Sequence, residues 1–162
     1  MEKITLKQLT DSDIATVGEW LDKEYIRKWY GKKENWLVEI RNRNGKYHFI
    51  RHFIVFLDDR KIGFCQYFDC SFVKDLFPDI ADRHHAFGID FLIGEEDCLN
   101  KGFGTMIIRK LEEKIAEAGG KEIWADPAAD NFISHKVLLN NGFIKISDEE
   151  YRKILNQTVT TQ

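Results

Sequence analysis

The sequence lacks several features that would each assign it to a distinct class of protein. Its 162 residues include only two prolines and three cysteines, and its formal net charge is −3. This composition excludes proline-rich disorder and a disulfide scaffold, and it offers no basic surface for nucleic acid. No apolar run reaches the roughly 18 residues that a membrane span needs, and the N-terminus lacks a secretory hydrophobic core. These absences predict a cytoplasmic globular protein with neither nucleic acid nor membrane as a partner.

The cysteines predict neither a disulfide nor a metal centre. Cys65, Cys70 and Cys98 are odd in number, and no two have the spacing of a metal knuckle. We therefore expect reduced thiols and no metal. Cys98 precedes a glycine-containing loop and is either a reactive thiol or a passive one; no general base is visible beside it in the sequence.

What the chain does contain is enough apolar sequence for one folded domain over residues 1–162. Hydrophobic residues make up 43% of it and charged residues 31%, a globular profile. The spacing of apolar residues predicts the order β-α-α-β-β-β-α-β-α-β-β, a mixed α/β or α+β fold with a largely antiparallel first half. The predicted strands cover residues 3–9, 47–57, 61–68, 86–93, 122–126, 142–146 and 151–157. The predicted helices run from Thr10 through about Leu21 or beyond, where Leu21, Tyr25 and Trp29 share one face, and then over residues 35–40, 104–118 and 131–140, with a polar loop at 69–85.

The loop NKGFGT, residues 100–105, lies between a predicted strand and a predicted helix. The first N–H groups of a helix lack intrahelical partners and carry its positive dipole end, so a glycine-rich approach to them suits a phosphate. A plain turn explains the same two glycines. An ATP-binding P-loop is excluded because Thr105 and Met106, rather than Lys and Ser or Thr, follow the last glycine. A dinucleotide loop is excluded because Ile107 occupies its third glycine position.

The chain from Gly88 to Phe143 resembles the GNAT acetyltransferase superfamily. The matching features are the strand GIDFLIGE, the x-x-G-x-G loop, the helix after it, the strand IWAD, the helix headed by Asn131 and the terminal N-G-F. The resemblance extends over nearly the whole chain. It implies a single GNAT-like domain with a central, mostly antiparallel twisted sheet of six to seven strands and about four helices, and it implies acetyl-CoA as the cofactor.

The resemblance also implies which residues hold the cofactor. Backbone amides of the loop would bind its pyrophosphate, the strand Asp90–Ile93 would pair with its pantetheine arm, and Asn131 would contact the pantetheine region. The implied set is Phe91, Leu92, Ile93, Asn100, Lys101, Gly102, Phe103, Gly104, Thr105 and Asn131. The family usually has Arg or Gln where this chain has Leu99; Lys101 and Arg109 are candidates for that cationic contact, on which binding by the backbone amides does not depend.

A narrower resemblance is to the aminoglycoside 6'-N-acetyltransferases. It rests on EWLDKEYIRKWYG, KIGFCQYF, GIDFLIGE and WADPAADN, residues 19–31, 61–68, 88–95 and 124–131. It implies an enzyme that transfers acetyl to the 6'-amine of an antibiotic, a resistance activity, by direct attack of the amine on the thioester. Relatives of similar build acetylate hydroxylysine for siderophores, other small amines, or protein N-termini, and these acceptors remain alternatives.

Two aspartates are candidates for the amine chemistry. An alkyl amine has a pKa near 10, about that of lysine, and must lose a proton before it attacks a thioester, so a carboxylate beside it is useful. Asp90 interrupts an apolar strand, where an unpaired carboxylate is costly; it is either the catalytic base or a structural residue. Asp126 ends the next strand and is either a substrate ligand or the start of an Asp-Pro turn. By the resemblance, both would bind substrate ammonium groups.

Further substrate contacts are expected from aromatic and amide side chains. Trp29 and Tyr30 are candidates for stacking on the substrate, and Gln66 matches a family glutamine near it. The loop 69–85 carries four aspartates and is either an acidic wall for a polycation or a solvated loop. His84 and His85 within it are either proton acceptors or surface residues.

One departure from the family bears on mechanism. Many members have a tyrosine in the last helix that protonates the leaving thiolate, and the matching position here is Leu138. This motivates a rival interpretation, an acyl-CoA-binding module with weak or no turnover. Otherwise the chain is interpreted as an N-acetyltransferase of a small amine, acting as a monomer or homodimer.

Overall fold

The structure, a computed structural model, describes residues 2–155, which form one seven-stranded sheet flanked by five α-helices. The strands are β1 (Ile4–Gln8), β2 (Ile50–Leu57), β3 (Arg60–Asp69), β4 (Ala86–Ile93), β5 (Glu122–Ala125), β6 (Ile144–Ser147) and β7 (Glu150–Ile154). The helices are α1 (Ile14–Asp22), α2 (Glu24–Tyr30), α3 (Lys33–Arg41), α4 (Phe103–Glu117) and α5 (Phe132–Asn140). The strand order is β1-β2-β3-β4-β5-β7-β6, and only the β4–β5 pair is parallel within these residues. No helix in this part of the chain is long and apolar enough to cross a membrane.

The helices cover the two faces of the sheet in separate groups. Helices α1, α2 and α3 bury Leu21, Ile26 and Leu37 against Ile54 and Phe64 of the sheet. Helices α4 and α5 pack on the opposite face, where the apolar stripe of α4 joins the main core. That stripe and its α5 partner are Ile107, Ile108, Leu111, Ile115 and Leu138. The predicted mixed fold with a mostly antiparallel sheet is confirmed.

The first helical region differs from its prediction. A continuous face over Leu21, Tyr25 and Trp29 is wrong, because Lys23 is extended (φ −65°, ψ 135°) and divides the region into α1 and α2. The Lys23 ammonium donates to the carbonyl of Gly94 at 2.5 Å. This tertiary contact accompanies the break, which turns α2 across the end of β4.

Several other boundaries also differ. Strand β2 begins at Ile50 rather than at residue 47, because residues 42–48 form hydrogen-bonded turns after α3, with Tyr47 N–H donating to the carbonyl of Asn42 at 3.1 Å. Helix α3 is longer than the predicted 35–40, and β3 continues through Asp69 into the predicted loop. The last predicted strand is β7, and residues 156 and 157 of that prediction lie outside the described residues.

The parallel pair β4–β5 separates along its length. Pairing extends only over Ala86–Gly88 with Glu122–Trp124, although β4 continues to Ile93. Residues 89–93 therefore have no strand partner on the β5 side within the described chain. The opening lies next to the start of α4 and the start of α5, which is where the predicted site residues meet.

Gly94 directly follows β4 and lies against the indole of Trp20. A Cβ atom built on Gly94 would enter the ring, and Trp20 is 98% buried with its Nε1 donating to Glu95 Oε1 at 3.1 Å. We expect Gly94→Ala to lower the free energy of unfolding by about 1–3 kcal/mol through overpacking, measured by chemical denaturation. Gly45→Ala is the matched control, because the nearest atom to its Cβ is 3.8 Å away. Equal losses in the two variants would contradict this account.

Candidate active site

A cavity of about 530 Å³ lies where β4 and β5 diverge. Its walls come from α2, α3 and α5, the sheet contributes its floor, and Val73 and Leu76 close one side. Aromatic side chains make up much of its surface: Trp29, Tyr30, Trp36, Tyr47, Phe49, Phe68 and Phe91. This is a concave, largely apolar site with a few polar groups, the usual form of a small-molecule pocket.

All five residues predicted to contact substrate line this cavity. They are Asp90, Asp126, Trp29, Tyr30 and Gln66. Asp90 lies on β4 opposite Gln66 on β3, and the Gln66 Nε2 donates to the Asp90 Oδ2 at 3.0 Å. Asp126 follows β5 directly, at the rim. The strands thus place side chains that are distant in sequence in one pocket; their roles stay predictions.

The cavity carries three carboxylates and no basic side chain among its lining residues. Burial, and then the Asp126 carboxylate, raise the pKa of Asp90 well above its ordinary value. Burial, aided by Glu149 and Glu150, raises the pKa of Asp126 to about 6. Although Asp126 is exposed at the rim, enough protein surrounds its carboxylate to raise this pKa. Burial also raises the pKa of Glu39. Such a site gains most from a ligand that brings positive charge.

Two tyrosines of α2 bond to the free edge of β4. The Tyr30 hydroxyl donates to the carbonyl of Phe91, and the Tyr25 hydroxyl donates to the carbonyl of Ile93 at 2.8 Å. Burial and the Asp90 carboxylate raise the pKa of Tyr30 well above its ordinary value, so the hydroxyl keeps its proton. Each carbonyl oxygen has a second lone pair for another donor. The β4 edge that the sequence predicts to pair with pantetheine is therefore held by two hydroxyl groups of α2, one of which belongs to the cavity residue Tyr30.

The glycine loop has the geometry of an anion cradle. Gly102 is the residue before α4 and has a left-handed backbone (φ +82°), which turns the chain into the helix. Gly104 lies in the first turn, where a Cβ would stand 3.3 Å from the Phe91 ring. The first-turn N–H groups have no intrahelical acceptors. Asn131 precedes α5, its Oδ1 accepts from Ser134 N–H at 3.3 Å, and it lines the cavity.

Other sequence candidates are not part of the cavity. From the loop 69–85 only the apolar Val73 and Leu76 line it, so none of the four aspartates of this loop lines the cavity, although Asp75 lines a neighbouring groove. His84 and His85 lie on the surface outside it. Burial and the neighbouring Asp97 carboxylate raise the pKa of the Cys98 thiol, which argues against a reactive cysteine.

Helix α3 supplies a functional candidate, Glu39, that the sequence reasoning missed. Trp36 and Glu39 line the cavity, and Trp36 packs against Tyr30 with ring centroids 5.0 Å apart. Asn35 and Glu39 are four residues apart and share a helical face, which was the available signal. Nothing in that spacing showed which face would turn towards β4.

Residues 10–150 match the profile of a family described as "Acetyltransferase (GNAT) domain". Two curated relatives, aminoglycoside N(6')-acetyltransferases type 1 of Klebsiella pneumoniae and Serratia marcescens, are each 25% identical over 153 residues, which cover 88% of this chain and 74% of the relative. A crystal structure of the aminoglycoside acetyltransferase AAC(6')-Ib with coenzyme A superposes with a TM-score of 0.80 at 23% identity, covering 94% of this chain and 95% of that one. A structure of AAC(6')-Ib with coenzyme A and kanamycin has a TM-score of 0.79, 22% identity and the same coverage.

Proposed function

The chain belongs to the acetyltransferase (GNAT) domain family, and we propose that it transfers acetyl from acetyl-CoA to a primary amine of a small polycation, the 6'-amine of an aminoglycoside. The observation that carries the proposal is the cavity beside the free edge of β4. It combines three carboxylates, a lining rich in aromatic rings and no basic residue.

The residues at the β4–β5 opening fit the cofactor. The left-handed Gly102 and the first turn of α4 suit a pyrophosphate, because the helix presents unpartnered N–H groups there. The edge of β4 at Phe91 and Ile93 would hold the pantetheine arm, and Asn131 would contact it from the start of α5. Gly104 leaves the space beside the Phe91 ring free of a side chain. When bound, acetyl-CoA supplies an electrophilic thioester carbonyl for the amine.

In this proposal, Asp90 binds and deprotonates the amine. Its side chain projects into the acceptor cavity, while the next residue along β4, Phe91, belongs to the cofactor edge. An incoming ammonium group would offset the unfavourable burial of the carboxylate, and Asp90 would then take one of its protons directly or through water. Holding the amine at the cofactor edge also reduces the entropy that the reaction must overcome.

The shape and charge of the surroundings support an aminoglycoside. A second groove of about 600 Å³ adjoins the cavity, shares Asp126 and Leu76 with it, and adds the carboxylates of Asp75, Asp148, Glu149 and Glu150. The continuous negative surface fits a ligand with several ammonium groups better than a single amine. Trp29 and Trp36 line the cavity and would stack on sugar rings. The curated relatives bear the name of this activity.

The deciding experiment is release of CoA thiol from acetyl-CoA with a panel of acceptors. We expect turnover with aminoglycosides that carry a 6'-amine and none with matched aminoglycosides that carry a 6'-hydroxyl. Faster turnover with hydroxylysine or a linear polyamine than with any aminoglycoside would show that the acceptor belongs to that other class of amine. Binding of acetyl-CoA without turnover on any amine would favour the acyl-CoA-binding module, which the buried Leu138 at the cavity wall suggests.

Asp126 should make acceptor binding depend on pH. Its pKa is about 6, so above this pH it is ionised and attracts an ammonium group, and below it the attraction is lost. We expect Asp126→Asn to raise KM for the aminoglycoside about fivefold at pH 8, the scale of about 1 kcal/mol for an exposed charge pair, and to remove the rise of KM below pH 6. Asp130→Asn, an exposed aspartate in the same loop, is the control. An unchanged KM profile in Asp126→Asn would assign this residue to the turn alone.

A further inference from the structure

A row of polar side chains crosses the face of the sheet that α1, α2 and α3 cover. His52 on β2 is the register partner of Gln66 on β3, and Gln66 is the partner of Asp90 on β4. Register partners project from the same face of a sheet, so these three side chains lie in one line. The rows on either side are apolar: Ile54, Phe64 and Leu92 on one side, and Ile50, Phe68 and Gly88 on the other.

This row is only partly hydrogen-bonded. Gln66 Nε2 donates to Asp90, but the buried Gln66 Oε1 has no partner among the described residues. Neither ring nitrogen of His52 has one either, although the side chain is 96% buried. Buried polar atoms without partners are costly, so three of them on facing residues call for a common explanation.

The backbone brings His52 and Gln66 close. The His52 carbonyl accepts from Leu9 N–H at 3.0 Å, on the β1 side, so His52 and Gln66 form a non-hydrogen-bonded pair. Side chains approach most closely in pairs of this type. Burial, and then Arg43, lower the pKa of His52 to about 4, so at neutral pH the ring has one N–H donor and one acceptor nitrogen.

We propose that His52 is a positioning residue for acetyl transfer: its ring N–H bonds the Gln66 Oε1 through one bridging water and so holds the Gln66 Nε2 against Asp90. The inference rests on the proposed role of Asp90 as the proton acceptor. A fixed N–H donor favours the ionised carboxylate, whereas a freely rotating amide also presents its oxygen to Asp90 and opposes ionisation.

The same pair accommodates the protonated state of Asp90. Once Asp90 has taken a proton from the ammonium group, its O–H can donate to Gln66 Oε1 after the amide rotates. When the His52 ring also turns over, its acceptor nitrogen faces Gln66 and can receive the Gln66 Nε2–H through the same water. Each state thus bonds both ends of the Gln66 amide, and no net charge forms in the sheet beyond Asp90 itself.

The other groups that face these residues do not substitute for this arrangement. Asp90 is faced by Tyr30 from α2, Glu39 from α3 and Asp126 after β5, and among the described residues only Gln66 donates to it. His52 is faced by Arg43, which is bonded to Asp11 at 2.7 Å, and by the ring of Phe64.

The test compares pH profiles of kcat/KM. We expect His52→Leu to move the acid limb to higher pH, so that activity falls roughly tenfold further at pH 6 than at pH 9, with acetyl-CoA affinity unchanged. In a Gln66→Leu background, His52→Leu should not move the acid limb of the kcat/KM profile, because the water-mediated hydrogen bond between His52 and Gln66 is already absent. Ile54→Ala, in the next row of the same face, is the control: it should lower thermal stability without moving the limb.

Two measurements keep the inference testable if His52→Leu does not fold. His52→Asn retains an N–H donor and should keep the wild-type limb. In ¹⁵N NMR of the wild-type protein, the His52 ring should stay neutral down to about pH 5, with one hydrogen-bonded N–H, because burial disfavours its charged form. A ring that titrates near 6.5, the ordinary histidine value, or equal limb shifts with and without Gln66, would overturn the inference. If no amine supports turnover, the proposed function fails, while the NMR result still decides whether this bond exists.

Discussion

Asp90→Asn is expected to lower kcat for amine acetylation by roughly 10²–10⁴-fold, the usual contribution of a positioned general base. The amide keeps an oxygen that accepts from Gln66 Nε2, so the local hydrogen bond at 3.0 Å in the wild type need not be lost. It cannot take a proton from an ammonium group. Turnover is measured by thiol release at saturating acceptor, and acetyl-CoA affinity by calorimetry without acceptor, where no change is expected.

The same substitution should stabilise the fold at high pH. Because the folded pKa of Asp90 is raised above the unfolded value, the carboxylate binds its proton more tightly in the folded protein. Its contribution to stability is therefore full at low pH and is lost as pH rises through the folded pKa. Asp90→Asn should have a higher Tm than the wild type at pH 8, and the difference should disappear near pH 4. Slower turnover with higher stability would mark a residue kept for chemistry.

Asp59→Asn is the matched control for both measurements. Asp59 occupies the β2–β3 turn, is exposed, and lines none of the site. Its replacement should change neither turnover nor the pH dependence of Tm. If Asp90→Asn left turnover unchanged, Asp90 would be a structural residue and the proton acceptor would have to be sought at Glu39 or Asp126.

The second half of the chain was predictable from sequence because its signals are local. β4 was predicted over its observed range of residues 86–93, α4 begins one residue before the predicted helix, and Asn131 caps α5 as expected. Glycines and a capping side chain mark these boundaries through backbone geometry alone. The start and end of these elements determine where the residues predicted to bind the cofactor lie, and where Asp90 and Asp126 lie.

The acceptor wall was less predictable because tertiary contacts decide it. The break at Lys23 involves its bond to Gly94, 71 residues away, and it determines where Trp29 and Tyr30 point. Glu39 becomes a site residue only because α3 turns that face towards β4. His52 appeared in the sequence as one residue of an aromatic strand, and its relation to Asp90 depends on a register across three strands.

Gly102→Val should weaken acetyl-CoA binding about 10–100-fold, the effect of losing a hydrogen bond or two to a charged group. Gly102 has φ +82°, and a Cβ there would meet no atom within 4 Å. Valine therefore acts through the backbone: it disfavours the left-handed conformation by about 1–2 kcal/mol and redirects the first N–H groups of α4. Calorimetric titration with acetyl-CoA measures the change in Kd.

Gly119 at the other end of α4 provides a matched control. It also has a left-handed backbone, φ +86°, and open space at its Cβ position. Gly119→Val should lower the free energy of unfolding about as much as Gly102→Val, since the cost in both is the conformation of one residue. Only Gly102 lies at the end of the helix that presents unpartnered N–H groups, so only its variant should lose cofactor affinity. If both variants bound acetyl-CoA equally, the glycine loop would be a turn and the phosphates would have to be held elsewhere along the β4–β5 opening.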